Sequence, residues 1–207
     1  MAAGNPKQRV GMMYPIWAPL VSHTEGSMPT YGTGVRLMEA RTATVTFERN
    51  GGSDYGDNRV VAEDNGATGM TIDFESTGLR NDARIAVLGE VAGSQEMGGQ
   101  WITDAPSPYG GFGYIEKMLD EDAQSFSYEV WITVKIHFNE NTHNSQTREG
   151  QTAWGHPTLN GRAVPLDIDG SGKLKYQWHG NFNTLADAKA KINSVLHYTP
   201  PSAQTTT

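Results

Sequence analysis

A chain of 207 residues with 37% hydrophobic residues and 24 glycines is long enough for one well-buried β domain with extensions, or for two small domains. The absence of cysteine excludes a disulfide scaffold and thiolate metal ligation, and fits folding in a reducing cytoplasm. The formal charge of −7 is uneven: residues 48–122 hold 15 acidic against 5 basic side chains, so the clustered basic footprint of a sequence-specific nucleic-acid binder is missing.

The opening, MAAGNPKQRVGMMYPIW, lacks the apolar stretch and small-residue site of a secretory leader. No apolar run approaches the roughly 18 residues of a membrane-spanning helix. Residues 1–33 carry four prolines and scattered large side chains, among them Trp17. They are expected to form an N-terminal arm that packs on its own domain or on a neighbour.

Strand periodicity starts at Arg41, where Ala43, Val45 and Phe47 alternate with Thr42, Thr44 and Thr46. The following RNGGSDYGDN, residues 49–58, reads as a long loop rather than a tight hairpin. Residues 59–62 and 69–75 read as two strands around a turn at Asp64-Asn65-Gly66. In the second of these Met70, Ile72 and Phe74 face one way, and Thr71, Asp73 and Glu75 the other.

Leu79, Ala83, Ala86 and Val87 then fall at helical spacing, which predicts a helix over residues 77–88 capped by Ser76 or Thr77 and ended by Gly89. Residues 93–111 return to a loop. Residues 113–117 and the run FSYEVWITVKIHF, Phe126 to Phe138, make a hairpin around Asp120-Glu121-Asp122. The even positions of that run are apolar and the odd ones polar apart from Trp131, so one face is expected in a core and the other toward water or a partner. Residues 154–164 and 174–178 complete seven or eight strands. Residues 183–196 read as a helix, with Thr184 and Asp187 as a capping pair and Leu185, Ala188, Ile192, Val195 and Leu196 as its apolar stripe.

The fold class expected is therefore mainly β: a sandwich or barrel of two packed antiparallel sheets over residues 34–180, with a flanking helix, terminal arms and a long inter-strand loop. A C-terminal helix and tail follow over residues 181–207.

No catalytic constellation stands out. The six histidines show no pairing suited to zinc. Asp167-Ile-Asp169-Gly-Ser171-Gly172 matches the opening of a calcium loop, but Trp178 stands where the closing carboxylate belongs, so a turn between strands is the better reading. Neither a nucleophile elbow nor a phosphate-cradling glycine loop occurs. No metal and no cofactor is expected.

The order of several short motifs carries more. Tyr31-Gly-Thr-Gly-Val-Arg-Leu, the strand to Phe47, Ala62-Glu-Asp-Asn-Gly and Thr71-Ile-Asp-Phe-Glu succeed one another, followed by Val87-Leu-Gly-Glu, Gly111-Phe-Gly-Tyr, Val134-Lys-Ile-His-Phe and Pro157-Thr-Leu-Asn-Gly. Together, over roughly residues 31–164, they resemble the major tail protein family of long-tailed bacteriophages. Gly34 stands where that family is expected to have proline, and the C-terminal helix has no matched counterpart.

The resemblance implies a virion structural protein made in the bacterial host cytoplasm. It would be a β-sandwich assembled as stacked hexameric rings around a channel for DNA that passes without specific binding. It also implies the tape measure protein and tail completion proteins as partners, no membrane, and no enzymatic activity. On that reading Asp73, Glu75 and Glu48 line the channel as an acidic wall that repels phosphates, and Trp17, Asp54, Tyr55 and Asp57 make contacts between rings.

Two other readings remain open on the residues alone. One is a carbohydrate-binding β-sandwich with Trp101, Trp131, Trp154 and Trp178 as stacking platforms. The other is a hydrolase using a carboxylate pair.

Overall fold

The structure is a computed structural model and describes residues 7–49, 51–56, 59–64, 66–93, 98–121, 124–140 and 155–201. In chain order the described strands are β1 (Lys7–Ser22), β2 (Thr30–Tyr31), β3 (Val35–Arg36), β4 (Ala40–Arg49), β5 (Gly52–Gly56), β6 (Arg59–Asp64) and β7 (Ala67–Ser76). Helix α1 (Asn81–Leu88) precedes β8 (Val91–Ala92), β9 (Gln100–Trp101), β10 (Gly110–Asp120), β11 (Ser125–Asn139), β12 (Thr158–Ala163) and β13 (Gln177–Phe182), and helix α2 (Leu185–Val195) closes the order. The protein is mainly β. One antiparallel sheet runs β2-β1-β10-β11-β12-β7-β4, with β3 added on β1 and β13 on β11.

This sheet buries two cores on opposite sides of β1, β10 and β11. The first gathers Trp17, Met70, Ile72, Phe74, Phe112, Ile136, Phe138 and Leu159, and α1 adds Ala83 and Val87. The second sets Ile16, Ile115, Val130 and Ile132 against Ala188, Ile192 and Leu196 of the α2 region.

A β-bulge decides how β11 serves both. Gly110 pairs with Ile136 but Phe112 with Thr133, so β11 carries one extra residue there. Before the bulge the even positions Val130 and Ile132 face α2; after it Ile136 and Phe138 face the other core. The expectation of a single wet face is thereby corrected. Thr133 is fully buried, Ser127 and Glu129 nearly so, and Gln177 Nε2 donates to Thr133 Oγ1 at 3.3 Å. Only beyond the bulge do the odd positions turn outward.

The N-terminal stretch is corrected in the same way. Lys7–Ser22 is a strand paired along β10, not an arm, and the register Trp17↔Phe112 places the indole of Trp17 at 0% exposure in the first core. Register shifts between Arg9 and Gly11 and between Met13 and Ile16 break its alternation, which hid the strand from a period-two reading. Pro15 sits in the second of these bulges, where a strand tolerates proline, and its carbonyl accepts from Leu37 N at 3.1 Å.

Within the expected loop of residues 49–58, Gly52–Gly56 form a strand. β4 pairs with β7 from Ala40↔Ser76 to Arg49↔Ala67, and β5 pairs with β6 from Gly52↔Asp64 to Gly56↔Arg59. These two ladders replace the expected hairpin pairing of residues 59–62 with 69–75. The long ladder wins because its register sets Val45 against Ile72 and Ala43 against Phe74 on one apolar side. An Asn-Gly turn offers no comparable burial.

Helix α1 starts later than its periodicity predicts. Ser76 ends β7 and is buried, while Thr77 N donates to Glu39 O at 2.9 Å, so neither caps the helix. Gly89 does terminate it, in the left-handed conformation at φ 72°. In α2 the Thr184 Oγ1 accepts from Asp187 N at 3.1 Å and donates to the Asp187 carboxylate at 2.7 Å, as its sequence suggests.

The C-terminal end of α2 docks on Gly34. Gly34 N donates to His197 O at 3.1 Å, and a Cβ on Gly34 would collide with the Leu196 carbonyl. The glycine in place of proline and the additional helix are thus parts of one contact. Proline there removes the N–H and adds bulk at once. Gly34→Pro is expected to loosen α2, costing at least the ~0.5–1.5 kcal/mol of a lost hydrogen bond. Hydrogen exchange at Ala188 and Ile192 reads this directly, and unchanged protection would show that the helix docks without Gly34.

Candidate functional site: an exposed polar sheet face

Beyond the bulge, the outer side of β11, β12, β7 and β4 forms a continuous polar face. The register aligns Thr44, Asp73 and Asn160 in one row, Thr42, Glu75 and Thr158 in the next, and Thr46, Thr71 and Arg162 in a third. The intervening residues Ile72, Phe74 and Leu159 point into the first core, which fixes the outward direction of this set. All three carboxylates proposed from the sequence therefore share one face.

Their electrostatics differ from the expected acidic wall. Arg41 Nε stands 3.3 Å from the Glu75 carboxylate, and an Arg162 guanidinium nitrogen 3.5 Å from that of Glu48. Asp73 accepts a neutral hydrogen bond from Asn160 Nδ2 at 2.7 Å. Lys135 extends over the Tyr109 ring, 4.7 Å from its centroid, and Tyr109 meets His137 edge-on at 5.0 Å. Burial and then the Arg162 charge hold His137 below the usual imidazole range, so it stays neutral near pH 7. Three carboxylates thus face Arg41, Lys135 and Arg162, and the face is polar and close to neutral.

The other residues singled out from the sequence do not join it. Trp17 is wholly inside the monomer and presents nothing to a neighbour. Asp54 and Tyr55 belong to β5, where the backbone alone is described, and Asp57 and Trp154 lie outside the described residues. The three described tryptophans of the carbohydrate reading occupy separate places. Trp101 is half exposed on β9. Trp131 stacks on His179 at 4.6 Å. Trp178 points to the opposite side of the sheet, under Lys191. They form no shared platform.

A carboxylate pair does exist. Glu116 and Glu129 stand directly opposite on β10 and β11. Glu116 accepts from Trp131 Nε1 at 3.1 Å and meets Arg9 at 3.1 Å, and Glu129 meets His179 Nδ1 at 2.8 Å. Each carboxylate is thus already engaged by protein donors.

Burial raises the Glu116 carboxyl above its ordinary value against the opposing pull of Arg9 and Trp131. The folded chain consequently holds this proton more tightly than the unfolded chain, so its contribution to stability falls as pH rises from the unfolded through the folded value. Glu116→Gln is expected to flatten the melting-temperature profile from about pH 4.5 upward. Superimposable profiles would remove Glu116 as a cause.

The Asp167 turn satisfies itself. Asp167 Oδ1 accepts from Gly170 N at 2.9 Å and Oδ2 from Gly172 N at 2.9 Å, and Asp169 pairs with Lys175.

Sequence reasoning missed two features. The Glu116–Glu129 layer requires knowing that β10 and β11 pair in that register. A groove between α2 and β3 likewise joins Tyr14, Arg36 and Lys189, which lie far apart in the chain. The only local signal for it is the helical spacing of Lys189 and Asn193 on the polar side of α2.

The class these observations define is a mainly β protein, a large antiparallel sheet with two helices. It presents a polar, ion-paired sheet face bordered by β4, which among the described residues pairs only with β7. A comparison with protein-family models and with curated proteins finds no match for this chain. No described helix is long and apolar enough to cross a membrane.

Proposed function

We propose that this chain is a structural subunit that self-assembles into a tube, of the kind its resemblance to the major tail proteins of long-tailed bacteriophages implies. The subunits would stack as hexameric rings in a virion, with the β4–β7–β12–β11 face toward a channel for double-stranded DNA. The tape measure and tail completion proteins would be its further partners. The observation that carries the reading is the polar face together with its border: among the described residues β4 pairs only with β7. An edge strand of this length is a template for pairing with another chain, and a ring of copies would use it to close a wall.

A neutral, threonine-rich wall suits passage of DNA for a different reason than an acidic one. The cations on it are matched by carboxylates, so phosphates find few unpaired partners. Replacing both Asp73 and Glu75 by lysine shifts the charge of this face by +4 per subunit and frees Arg41. Tubes of that variant are expected to retain DNA at low salt and release it at high salt. Equal DNA recovery with both proteins would move the face away from the channel.

Electron microscopy of the purified protein tests the assignment. Rings or tubes with an axial channel are the expected result. A monomer that stays dispersed at every concentration would overturn it.

A further inference from the structure

Tyr14 is buried in β1 yet holds a positive φ of 58°. It occupies the second bulge: Met13 pairs with Ile115 and Ile16 with Gly113, so Tyr14 and Pro15 together stand opposite Tyr114. A bulge whose first residue is left-handed is where proteins place glycine, and any side chain there carries backbone strain. Such strain persists only where the surroundings impose it. For Tyr14 these are mostly parts of the α2 region. Its hydroxyl donates to Asn193 Oδ1 at 3.1 Å, the Lys189 ammonium stands 5.1 Å from its ring centroid, and Tyr198 packs edge-on at 6.1 Å. Arg36 of β3 adds a guanidinium at 5.0 Å.

The half of β1 that precedes this bulge is free to respond. Residues 16–22 are pinned by β2 and β3, and by Trp17 in the first core. Residues 7–13 pair with β10 alone among the described strands. Residues 7–11 are exposed, so no buried set fixes their register. Erasing the bulge draws this half one residue along β10. Tyr14 then stands opposite Ile115, Met13 opposite Glu116 and Pro15 opposite Tyr114. Met13 thereby takes the place that Met12 holds against the first core, one flexible thioether for another. Tyr14 becomes an ordinary strand residue. The slip gives up the Arg9–Glu116 ion pair, which contributes little because the Arg9 side chain is 63% exposed.

We propose that β1 has two registers on β10, and that docking of α2, acting through Tyr14, selects the bulged one. While α2 is in place, its grip on the Tyr14 ring offsets the backbone strain. When α2 lifts, the grip is gone and the unstrained register takes over, carrying Arg9 from the Glu116 side of the sheet to the other. The C-terminal helix and the N-terminal strand thereby form one two-state element. Whatever engages one end shifts the other by the same free energy. The device belongs to the single chain and does not depend on the assembly proposed above.

Because the chain has no cysteine, paired cysteines read the register. Gln8 stands opposite Leu119 in the bulged register and opposite Asp120 in the slipped one. Neighbouring residues of a strand point to opposite faces. Gln8→Cys with Leu119→Cys therefore closes only in the first register, and Gln8→Cys with Asp120→Cys only in the second. In the full chain the first pair is expected to close readily and the second to lag. Asn193→Ala with Lys189→Ala removes the grip on Tyr14 and leaves both buried cores untouched. It should speed closure of the second pair about tenfold, the combined effect of a hydrogen bond and a cation–π contact. Glycine adopts the left-handed conformation without strain. In a Tyr14→Gly chain the second pair should thus stay slow, and the same two alanines should change nothing.

A second pair that never closes, or closes at one rate in every background, would overturn the proposal. An equal rise in the Tyr14→Gly chain would trace the effect to general loosening and overturn it too. Where a cysteine pair folds poorly, proton NMR of the cysteine-free chain decides. The Asn193→Ala, Lys189→Ala variant is expected to gain cross-strand backbone contacts between Tyr14 and Ile115. Keeping only the Met13–Ile115 contacts would show that α2 does not select the register.

Discussion

Phe112→Ala is expected to cost about 3–5 kcal/mol of unfolding free energy, the range for removing a buried aromatic ring. The ring is fully buried where β10 crosses the first core. Phe138 lies 5.2 Å from it, Phe74 5.3 Å and Tyr114 5.7 Å between ring centroids. These partners come from β11, β7 and β10, so one truncation opens a cavity that three strands would have to move to fill. A loss of that size is a large share of the ~5–15 kcal/mol that holds a domain together. Denaturant titration of dissociated protein measures it as a fall in midpoint at constant slope. Phe126→Ala is the control. That ring, on the neighbouring strand β11, is 47% exposed and should cost less than about 1 kcal/mol. Equal losses would mean that the first core collapses readily around the gap.

Arg84→Met is expected to cost about 3–5 kcal/mol at neutral pH, because it leaves the buried Glu90 carboxylate without its cation. Arg84 Nε donates to Glu90 Oε1 at 2.8 Å, and its terminal nitrogen lies 2.8 Å from Glu140. The two glutamate side chains are only 4% and 8% exposed. Methionine keeps much of the volume and flexibility of the arginine stem, so the loss reports charge rather than packing. Adding Glu90→Gln should recover most of it, since that buried group then carries no unpaired charge. Failure to recover would show that hydrogen-bond geometry, not charge balance, sets the contribution of this clasp, which ties α1 to the end of β11.

Local alternation and spacing carried much of this molecule in the sequence itself. The strand nature of Phe126 to Phe138, the capping of α2 by Thr184, the end of α1 at Gly89 and the outward set Asp73 and Glu75 all follow from contacts within a few residues. Such contacts depend on propensity and on which side chains can share a face.

What the tertiary structure alone decided is where that local order is interrupted or joined. The bulge in β11 divides one apolar stripe between two cores, and the bulges in β1 hide a strand whose Trp17 is core. The β4–β7 ladder overrides a good local turn. Arg41 and Arg162 neutralise carboxylates that looked unopposed, and Tyr14, Arg36 and Lys189 meet from three parts of the chain. Each of these depends on the register of strands remote in sequence. One residue of slip in a ladder reverses which side chains face inward, and the burial that selects the register is summed over the whole core rather than over any stretch of the chain.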